Sequence, residues 1–483
     1  MTKSLTLDLP TEKDTAALGR ALSGMLKAGD ALLLQGSIGT GKSHLARAFI
    51  RARLGQDTEV PSPTFTLVQT YPGTPDIWHA DLYRLTHPDE VAELGLEDAF
   101  QSAICLIEWP DRLGSCLPAN PVRLILETIG EGRRATLTSG DRPGFNATLL
   151  RYVHAEAFVD AAGWRDADRQ PLAVDASTRR YERLSLPGQK AILMDAPPGQ
   201  VDSAVDFAKI DRHLQSLGIS APKIFADDSA HGYLLLEDLG DALYPTVIAA
   251  NPALEPKLYA AATDVLLRLQ ASPPAPDLSN LSAQHWAEAA AFAVDWYRLG
   301  IVGNSNGRAD FVSALAETLE KLASDPPVMI LRDYHAENLL WLPEREGIAR
   351  VGVLDFQLAQ MGQPAYDLVS LLQDARRDVP PEIEAAMIQR FAAAIGTDPG
   401  SFGAGYAALG AQRALRILGI FARLCLAEGK TRYIALIPRI WTQLQRNLAH
   451  PALAKLRMGC ARLLPEPTPA TLLILEGRCS AFR

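Results

Sequence analysis

Two stretches of this sequence carry residue types whose spacing suits chemistry on phosphate. Gly36-Ser37-Ile38-Gly39-Thr40-Gly41-Lys42-Ser43 fits the pattern GxxxxGK[ST]. Its glycines let successive backbone N–H groups turn inward, a helix N-terminus after them adds positive potential, and a lysine brings a mobile charge to the β- and γ-phosphates. The backbone from Gly36 through Ser37, Gly39, Thr40 and Gly41 is thus the expected phosphate cradle, with Lys42 on the phosphates and Ser43 on Mg2+. Farther along, Leu331-Arg-Asp-Tyr-His-Ala-Glu-Asn-Leu-Leu-Trp341 gives D-x-x-x-x-N, and Val351-Gly-Val-Leu-Asp-Phe-Gln357 places a second acid on an apolar run. Phosphoryl transfer to a hydroxyl needs one carboxylate on the acceptor, and an amide plus a further carboxylate to hold Mg2+ on the triphosphate. Asp333, Asn338 and Asp355 match those three jobs, so ATP is the expected substrate of both stretches.

Holding phosphate is not hydrolysis, which also needs a metal-side acid and a group that positions water. Asp81, near the end of Ile77-Trp-His-Ala-Asp-Leu-Tyr-Arg84, and Glu108, after Ile104-Cys-Leu-Ile107, stand where such acids belong. Acids at strand ends also occur simply because water reaches them, and Asp and Asn favour turns for reasons of their own.

The elements that must position these residues follow an apolar rhythm. Runs at 31–34, 77–83, 104–107 and 122–129, with a helix expected over 42–54, read as an α/β sheet with the glycine-rich turn between strand and helix. The polar Thr138-Ser-Gly-Asp-Arg-Pro-Gly-Phe-Asn146 closes that series, so a first domain is expected over 1–143 and a second over 149–483. The second opens with a helix at 149–162 and strand-like pieces at 181–185, 191–194 and 232–237. Long helical periodicities follow from about residue 252, which implies a small β-rich lobe over about 149–240 and a helical lobe over about 241–483. The expected fold class is therefore an α/β P-loop NTPase domain followed by an α+β, bilobal, protein-kinase-like domain.

The motifs of the first half resemble the TsaE family. GSIGTGKS, Ser62-Pro-Thr-Phe-Thr-Leu-Val68, His79-Ala-Asp-Leu-Tyr-Arg84 and Ile107-Glu-Trp-Pro110 occur in that family's order and spacing. TsaE is the ATPase subunit of the bacterial machinery that makes threonylcarbamoyladenosine in tRNA. The resemblance implies Lys42 and Ser43 on phosphate and Mg2+, Thr64 in a nucleotide-sensing switch, Asp81 on the metal side, and Glu108 with Trp109 near the γ-phosphate. It further implies slow hydrolysis that acts through partners of the TsaD and TsaB type.

The second half resembles the aminoglycoside-phosphotransferase-like kinases, and among them the AmgK type of anomeric sugar kinase. The matching pieces are Asp175-Ala-Ser-Thr-Arg-Arg-Tyr181, Met194-Asp-Ala-Pro-Pro198, Leu234-Leu-Leu-Glu-Asp-Leu-Gly240, the catalytic loop, the Asp355 strand and Gly362-Gln-Pro-Ala-Tyr-Asp-Leu368. By that likeness Glu237 to Leu239 is the hinge facing adenine, and Asp367 supports the catalytic loop. The substrates implied are N-acetylmuramic acid and N-acetylglucosamine, phosphorylated at the anomeric hydroxyl in peptidoglycan recycling. Two positions depart from the kinase pattern: Leu331 replaces a common histidine, and Met194-Asp195 falls where a phosphate-pairing lysine is usual. Lys190, Arg179 or Arg180 could supply that cation instead. His335, inside the loop, reads as a hydrogen-bonding surface residue. The fold also admits another small hydroxyl acceptor, such as an aminoglycoside or choline, or a kinase-like scaffold for the ATPase.

Composition bounds the rest. At 483 residues the chain exceeds one core, and 48% hydrophobic with 21% charged residues is an ordinary globular balance. The net charge is −9, and residues 1–148 hold 14 Lys+Arg against 18 Asp+Glu, about −4, which argues against a broad nucleic-acid face. The tRNA is therefore expected to be held mostly by partners. Five scattered cysteines without a CxxC pair read as reduced thiols, and the absence of an apolar N-terminal segment fits a cytoplasmic chain that avoids membranes.

Overall fold

A computed structural model of the protein describes residues 4–55, 57–85, 87–172, 179–199 and 203–480. The chain divides into two compact units, one of residues 1–170 with 184–189, the other of 171–183 with 190–483.

The first unit is built on β1 (Leu5–Leu9), α1 (Glu12–Ser23), β2 (Ala31–Gln35), α2 (Lys42–Leu54), β3 (Val68–Tyr71), β4 (Ile77–Asp81), α3 (Leu96–Ser102), β5 (Ile104–Glu108), β6 (Val122–Ile129), β7 (Gly132–Thr138) and α4 (Phe145–Ala161). Seven strands form one sheet in the order β1-β7-β6-β2-β5-β4-β3. Its centre, β6-β2-β5-β4, is parallel, and β1, β7 and β3 add antiparallel edges. The continuous apolar runs of β2 and β5 follow from burial on both faces: Leu32, Leu34, Ile104 and Leu106 enter one core, while Ala31, Leu33, Cys105 and Ile107 enter the other. Parallel register sets Leu34 and Asp81 each opposite Glu108, so the ends of β2, β4 and β5 lie side by side.

The helix expected to open the second domain belongs with the first unit. Phe145 and Leu149 of α4 join its core, and Arg20 of α1 donates to Glu156 at 2.7 Å. The polar 138–146 segment is a turn within that unit, and the compact units divide after α4 instead. An apolar stripe on a helix does not itself say which neighbouring core it covers.

A second sheet, of five strands in the order β11-β12-β10-β9-β8, is formed by β8 (Asp168–Leu172), β9 (Arg180–Leu186), β10 (Gln189–Asp195), β11 (Ile224–Asp228) and β12 (Tyr233–Glu237), with α5 (Ala204–Ser216) in the connection. The helical part holds α6 (Tyr244–Ala250), α7 (Glu255–Gln270), α8 (Ala283–Ala290), α9 (Leu299–Val302) and α10 (Arg308–Leu322). Four short strands then pair as two ribbons: β13 (Val328–Ile330) with β16 (Gln360–Gly362), and β14 (Leu339–Trp341) with β15 (Val351–Val353). After them come α11 (Ala365–Leu372), α12 (Pro381–Ile395), α13 (Pro399–Leu426), α14 (Ile437–Leu448), α15 (Ala454–Leu463) and α16 (Pro469–Glu476). One continuous core runs from Met194 to Leu475, with α13 at its centre. Of the expected Asp175–Tyr181 motif, residues 175–178 lie outside the described residues.

The reading of all cysteines as reduced needs correction. Cys425, at the end of α13, is disulfide-bonded to Cys479, which the return of the chain through α16 brings back across 54 residues. Cys105 and Cys460 are free, and burial pushes each thiol up to about 12, so both are inert near neutral pH.

Asp211 of α5 gives a pH-dependent test of the second unit. The residue is fully buried, Gln215 donates to Oδ1, and Oδ2 has no protein partner. Burial raises this carboxyl from 3.8 to about 7. With the folded value above the unfolded one, the favourable state is protonated, so its contribution is intact below about pH 4 and is lost as pH rises toward 7. Asp211→Asn removes that loss. In chemical denaturation its gain over wild type is expected to be about 2 to 3 kcal/mol larger at pH 8 than at pH 5. Equal gains at both pH values would contradict a neutral Asp211.

Candidate active sites

In the first unit the glycine-rich turn leaves β2 and enters α2. Gly36 has φ 143° and Gly41, which caps α2, has φ 98°. A side chain on Gly36 would collide with the Leu126 carbonyl of β6, so glycine is required by both backbone and space. The Ser37 carbonyl accepts from the Thr40 hydroxyl at 3.0 Å, and Arg133 Nε donates to the Thr40 carbonyl at 2.9 Å. Lys42 Nζ donates to the carbonyls of Gly36 (2.8 Å) and Ser37 (2.9 Å) and lies 4.1 Å from the centre of the Trp109 ring. Burial lowers the Lys42 pKa, against the opposing pull of Glu108 and Asp81.

Glu108 is the hub. Its Oε2 accepts from Ser43 Oγ at 2.9 Å, and its Oε1 meets His79 Nε2 at 2.9 Å, with both side chains of the latter pair almost wholly buried. Asp81 is held differently: Thr64 Oγ1 donates to Oδ2 at 2.9 Å, and the Tyr83 N–H donates to Oδ1 at 3.1 Å. Ser43, the expected metal ligand, thus touches Glu108 rather than Asp81. Because Ser43 donates its proton to Glu108, its oxygen lone pairs remain for a cation. Trp109 (φ 59°) turns the chain after β5 and sets its ring over Lys42 and against Tyr83, at 4.9 Å between centroids. These contacts fall in two groups: one joins Gly36, Ser37, Thr40, Lys42, Trp109, Asp81 and Thr64, the last two through Tyr83, and the other joins Ser43 and Glu108.

Two residues of this site were not assigned from sequence. His79 lies two positions before Asp81 on the same strand face, a period-2 signal that was legible. Arg133, on β7, gave none, since only sheet order brings that strand to the glycine-rich turn.

In the second unit the catalytic loop runs from β13 to β14 and is fixed from below. Asp367, fully buried at the start of α11, accepts the N–H groups of Leu331 (2.6 Å) and Arg332 (2.9 Å). Ser370 Oγ, at 3.2 Å, and Arg413, at 3.4 Å, both donate to the Arg332 carbonyl. Arg332 adopts φ 72°, which a non-glycine residue holds only when its surroundings insist. Burial raises the Asp367 carboxyl to about 6, even though these two N–H groups favour its ionised form.

Asn338 Nδ2 donates to the Asp333 carbonyl at 2.8 Å, which leaves Oδ1 for a cation, and the Asn338 carbonyl accepts the Leu354 N–H at 2.9 Å. That last bond ties the loop to the residue before Asp355. Asp355, at φ 57°, turns its carboxylate toward Arg179 Nη2 and Gln357 Nε2, both at 2.9 Å. The structure therefore brings Asp333, Asn338 and Asp355 together.

One expectation changes here. His335 is not a surface residue: it is 9% exposed, its Nε2 lies 3.4 Å from Asn338 Nδ2 and 3.3 Å from Arg376 Nη1, and burial lowers its pKa. Of the expected hinge residues, Glu237 pairs its carboxylate with Arg345 at 2.7 Å and donates its N–H to the Lys223 carbonyl at 2.7 Å. Leu239 is half-buried beside Gly352.

Comparison with known proteins agrees with both halves. The family model of threonylcarbamoyl adenosine biosynthesis protein TsaE matches residues 9–136, and that of the phosphotransferase enzyme family matches residues 168–407. An N-acetylmuramate/N-acetylglucosamine kinase of Caulobacter vibrioides is 41% identical over 355 residues, covering 65% of this chain and 96% of that protein. A tRNA threonylcarbamoyladenosine biosynthesis protein TsaE of Rickettsia conorii is 32% identical over 166 residues, 34% of this chain and 95% of that protein. Among solved structures, Bacillus subtilus YdiB matches 32% of this chain and 98% of its own at 25% identity, with a TM-score of 0.27. The chain belongs to the TsaE family through its first unit and, through its second, to the phosphotransferase enzyme family alongside the N-acetylmuramate/N-acetylglucosamine kinases.

Proposed function

We propose that the chain is a bifunctional enzyme. The first unit is an ATPase that supports threonylcarbamoylation of tRNA adenosine 37, and the second is an ATP-dependent kinase acting on the anomeric hydroxyl of N-acetylmuramate or N-acetylglucosamine. The observation that carries this reading is that relatives of both kinds are matched over nearly their whole length, while the chain keeps the Gly36–Ser43 phosphate turn and the Asp333, Asn338 and Asp355 set.

The donor sets fit Mg2+, a hard cation that keeps water and phosphate oxygens in its shell and takes only one or two ligands from the protein. Ser43 with a nearby carboxylate would hold it in the first unit, and Asn338 Oδ1 with Asp355 in the second. Bound there, the ion would neutralise charge on the transferring phosphate. In the first unit the Gly36–Gly41 turn and Lys42 hold the phosphates, Trp109 shields Lys42 from water, and Glu108 orients the attacking water. Thr64, bonded to Asp81, couples the 62–68 segment to nucleotide state. In the second unit Asp333 accepts the proton of the sugar hydroxyl as its oxygen attacks the γ-phosphate, and Leu239 lies against adenine.

The acidic balance of the first unit supports partners of the TsaD and TsaB type as the holders of tRNA. Both reactions draw on ATP, which supports a cytoplasmic site; among the described residues no helix is long and apolar enough to cross a membrane.

The test is incubation of the purified chain with Mg-ATP and each amino sugar, following product by phosphorus NMR. A sugar 1-phosphate signal is expected with at least one of the two. Its absence with both, alongside turnover of choline or an aminoglycoside, would overturn the acceptor assignment.

A further inference from the structure

The triphosphate of the second site needs a protein cation besides Mg2+, and the strand position expected to supply one offers an acid. Asp195, at the end of β10, is buried, and Arg180 on β9 pairs with it. Arg180 is thereby committed to neutralising that carboxylate. Lys190 is exposed near the opposite end of β10. Arg179 is placed differently from both. It is 7% exposed, and its Nη2 donates at 2.9 Å to Oδ1 of Asp355, whose own side chain is 42% exposed.

We propose that Arg179 is the cation that binds the ATP phosphates in the second unit, a role moved from β10 to the residue that precedes β9. The proposal rests on reading this unit as a Mg-ATP kinase. Asp355 is the carboxylate that would hold the metal, which would supply positive charge to the phosphate oxygens. A guanidinium within hydrogen-bonding distance of this carboxylate is therefore within reach of the same oxygens, through its second nitrogen or by a small rotation. Its planar fork suits phosphate better than a point charge does, and its burial strengthens each bond it makes there. Charge would stay balanced: without nucleotide Arg179 neutralises Asp355, and with Mg-ATP bound the carboxylate would serve the cation while the guanidinium serves phosphate. The Asp195–Arg180 pair, at the position where a lysine is usual, is the complementary half of the exchange.

The test is titration of full-length protein with a fluorescent ATP analogue and, separately, with adenosine. All chains also carry Lys42→Ala, so that the second unit supplies the nucleotide site being read. Arg179→Gln is expected to weaken the ATP analogue at least about tenfold, leave adenosine within about twofold, and leave the melting temperature of the Lys42→Ala parent in place; Arg179→Lys is expected to recover part of the loss. Unchanged ATP affinity in Arg179→Gln overturns the assignment. So does an equal loss of ATP and adenosine accompanied by a lower melting temperature, which marks a structural role. Loss in Arg180→Gln with none in Arg179→Gln overturns it as well. Because binding is read without an acceptor, failure of the amino-sugar reading leaves this result standing, and failure of the Arg179 assignment leaves sugar 1-phosphate formation standing.

Discussion

Asp333→Asn in the full-length chain is expected to reduce sugar 1-phosphate formation by about a thousandfold or more, with ATP affinity held within about threefold. The substitution keeps size and removes the carboxylate proposed to accept the hydroxyl proton. It leaves the loop backbone alone, because that backbone is fixed elsewhere: Asp367 accepts the Leu331 and Arg332 N–H groups, and Asn338 Nδ2 donates to the Asp333 carbonyl. The loss should therefore appear in kcat, with little change in the KM for ATP. Lys42→Ala provides the opposite control, since it strikes the phosphate cradle of the first unit and should leave sugar phosphorylation at the wild-type rate. Rate measurements on both variants check the pair. An Asp333→Asn chain that phosphorylates sugar normally would remove Asp333 from the chemistry, and loss in both variants would mean that the two activities are not separate. A kinase-like scaffold without activity fits the structure less well, because an inert domain has little need to keep Asp333, Asn338 and Asp355 joined through the Leu354 N–H and a buried Asp367.

How far the sequence could be read depended on whether a feature was local. The helix Lys42–Leu54 and the strand Val122–Ile129 lie where apolar spacing and the glycine-rich turn put them. The edge strands β1 and β3 were missed, since short, half-exposed strands carry weak patterns and gain their place only by pairing. The same limit applies within the sites. D-x-x-x-x-N and the acid after β15 are close in sequence, and their grouping was legible. The Asp367 support, 36 residues from Leu331, came only through family resemblance. Arg179 is 176 residues from Asp355, and from sequence it stood level with Lys190 and Arg180 as the missing cation. The disulfide between Cys425 and Cys479 and the burial of His335 both depend on where distant helices return, which periodicity does not encode.

Glu108 is where the first unit's chemistry can be separated from its binding. Glu108→Ala is expected to keep ATP affinity within about threefold, because the proposed phosphate holders are the Gly36–Gly41 turn and Lys42, and Lys42 donates to the Gly36 and Ser37 carbonyls rather than to this side chain. Threonylcarbamoylation of tRNA in a reconstituted mixture with TsaD- and TsaB-type partners should fall about a hundredfold or more, the scale of losing a group that positions a reacting water. The substitution also strips Ser43 of its acceptor and leaves buried His79 without its carboxylate, so a stability cost of about 1 to 3 kcal/mol is expected and must be measured alongside. Glu108→Gln separates the two effects. Its amide oxygen can still accept from Ser43 or from His79, so most of the stability should return, whereas the negative charge that polarises water does not. If Glu108→Gln modified tRNA at the wild-type rate while hydrolysing ATP slowly, the first unit would be a nucleotide-dependent assembly switch whose hydrolysis is incidental. If modification and hydrolysis fell together with binding intact, turnover itself would be what drives the partner, and the Ser43–Glu108–His79 chain would be the element that sets its rate.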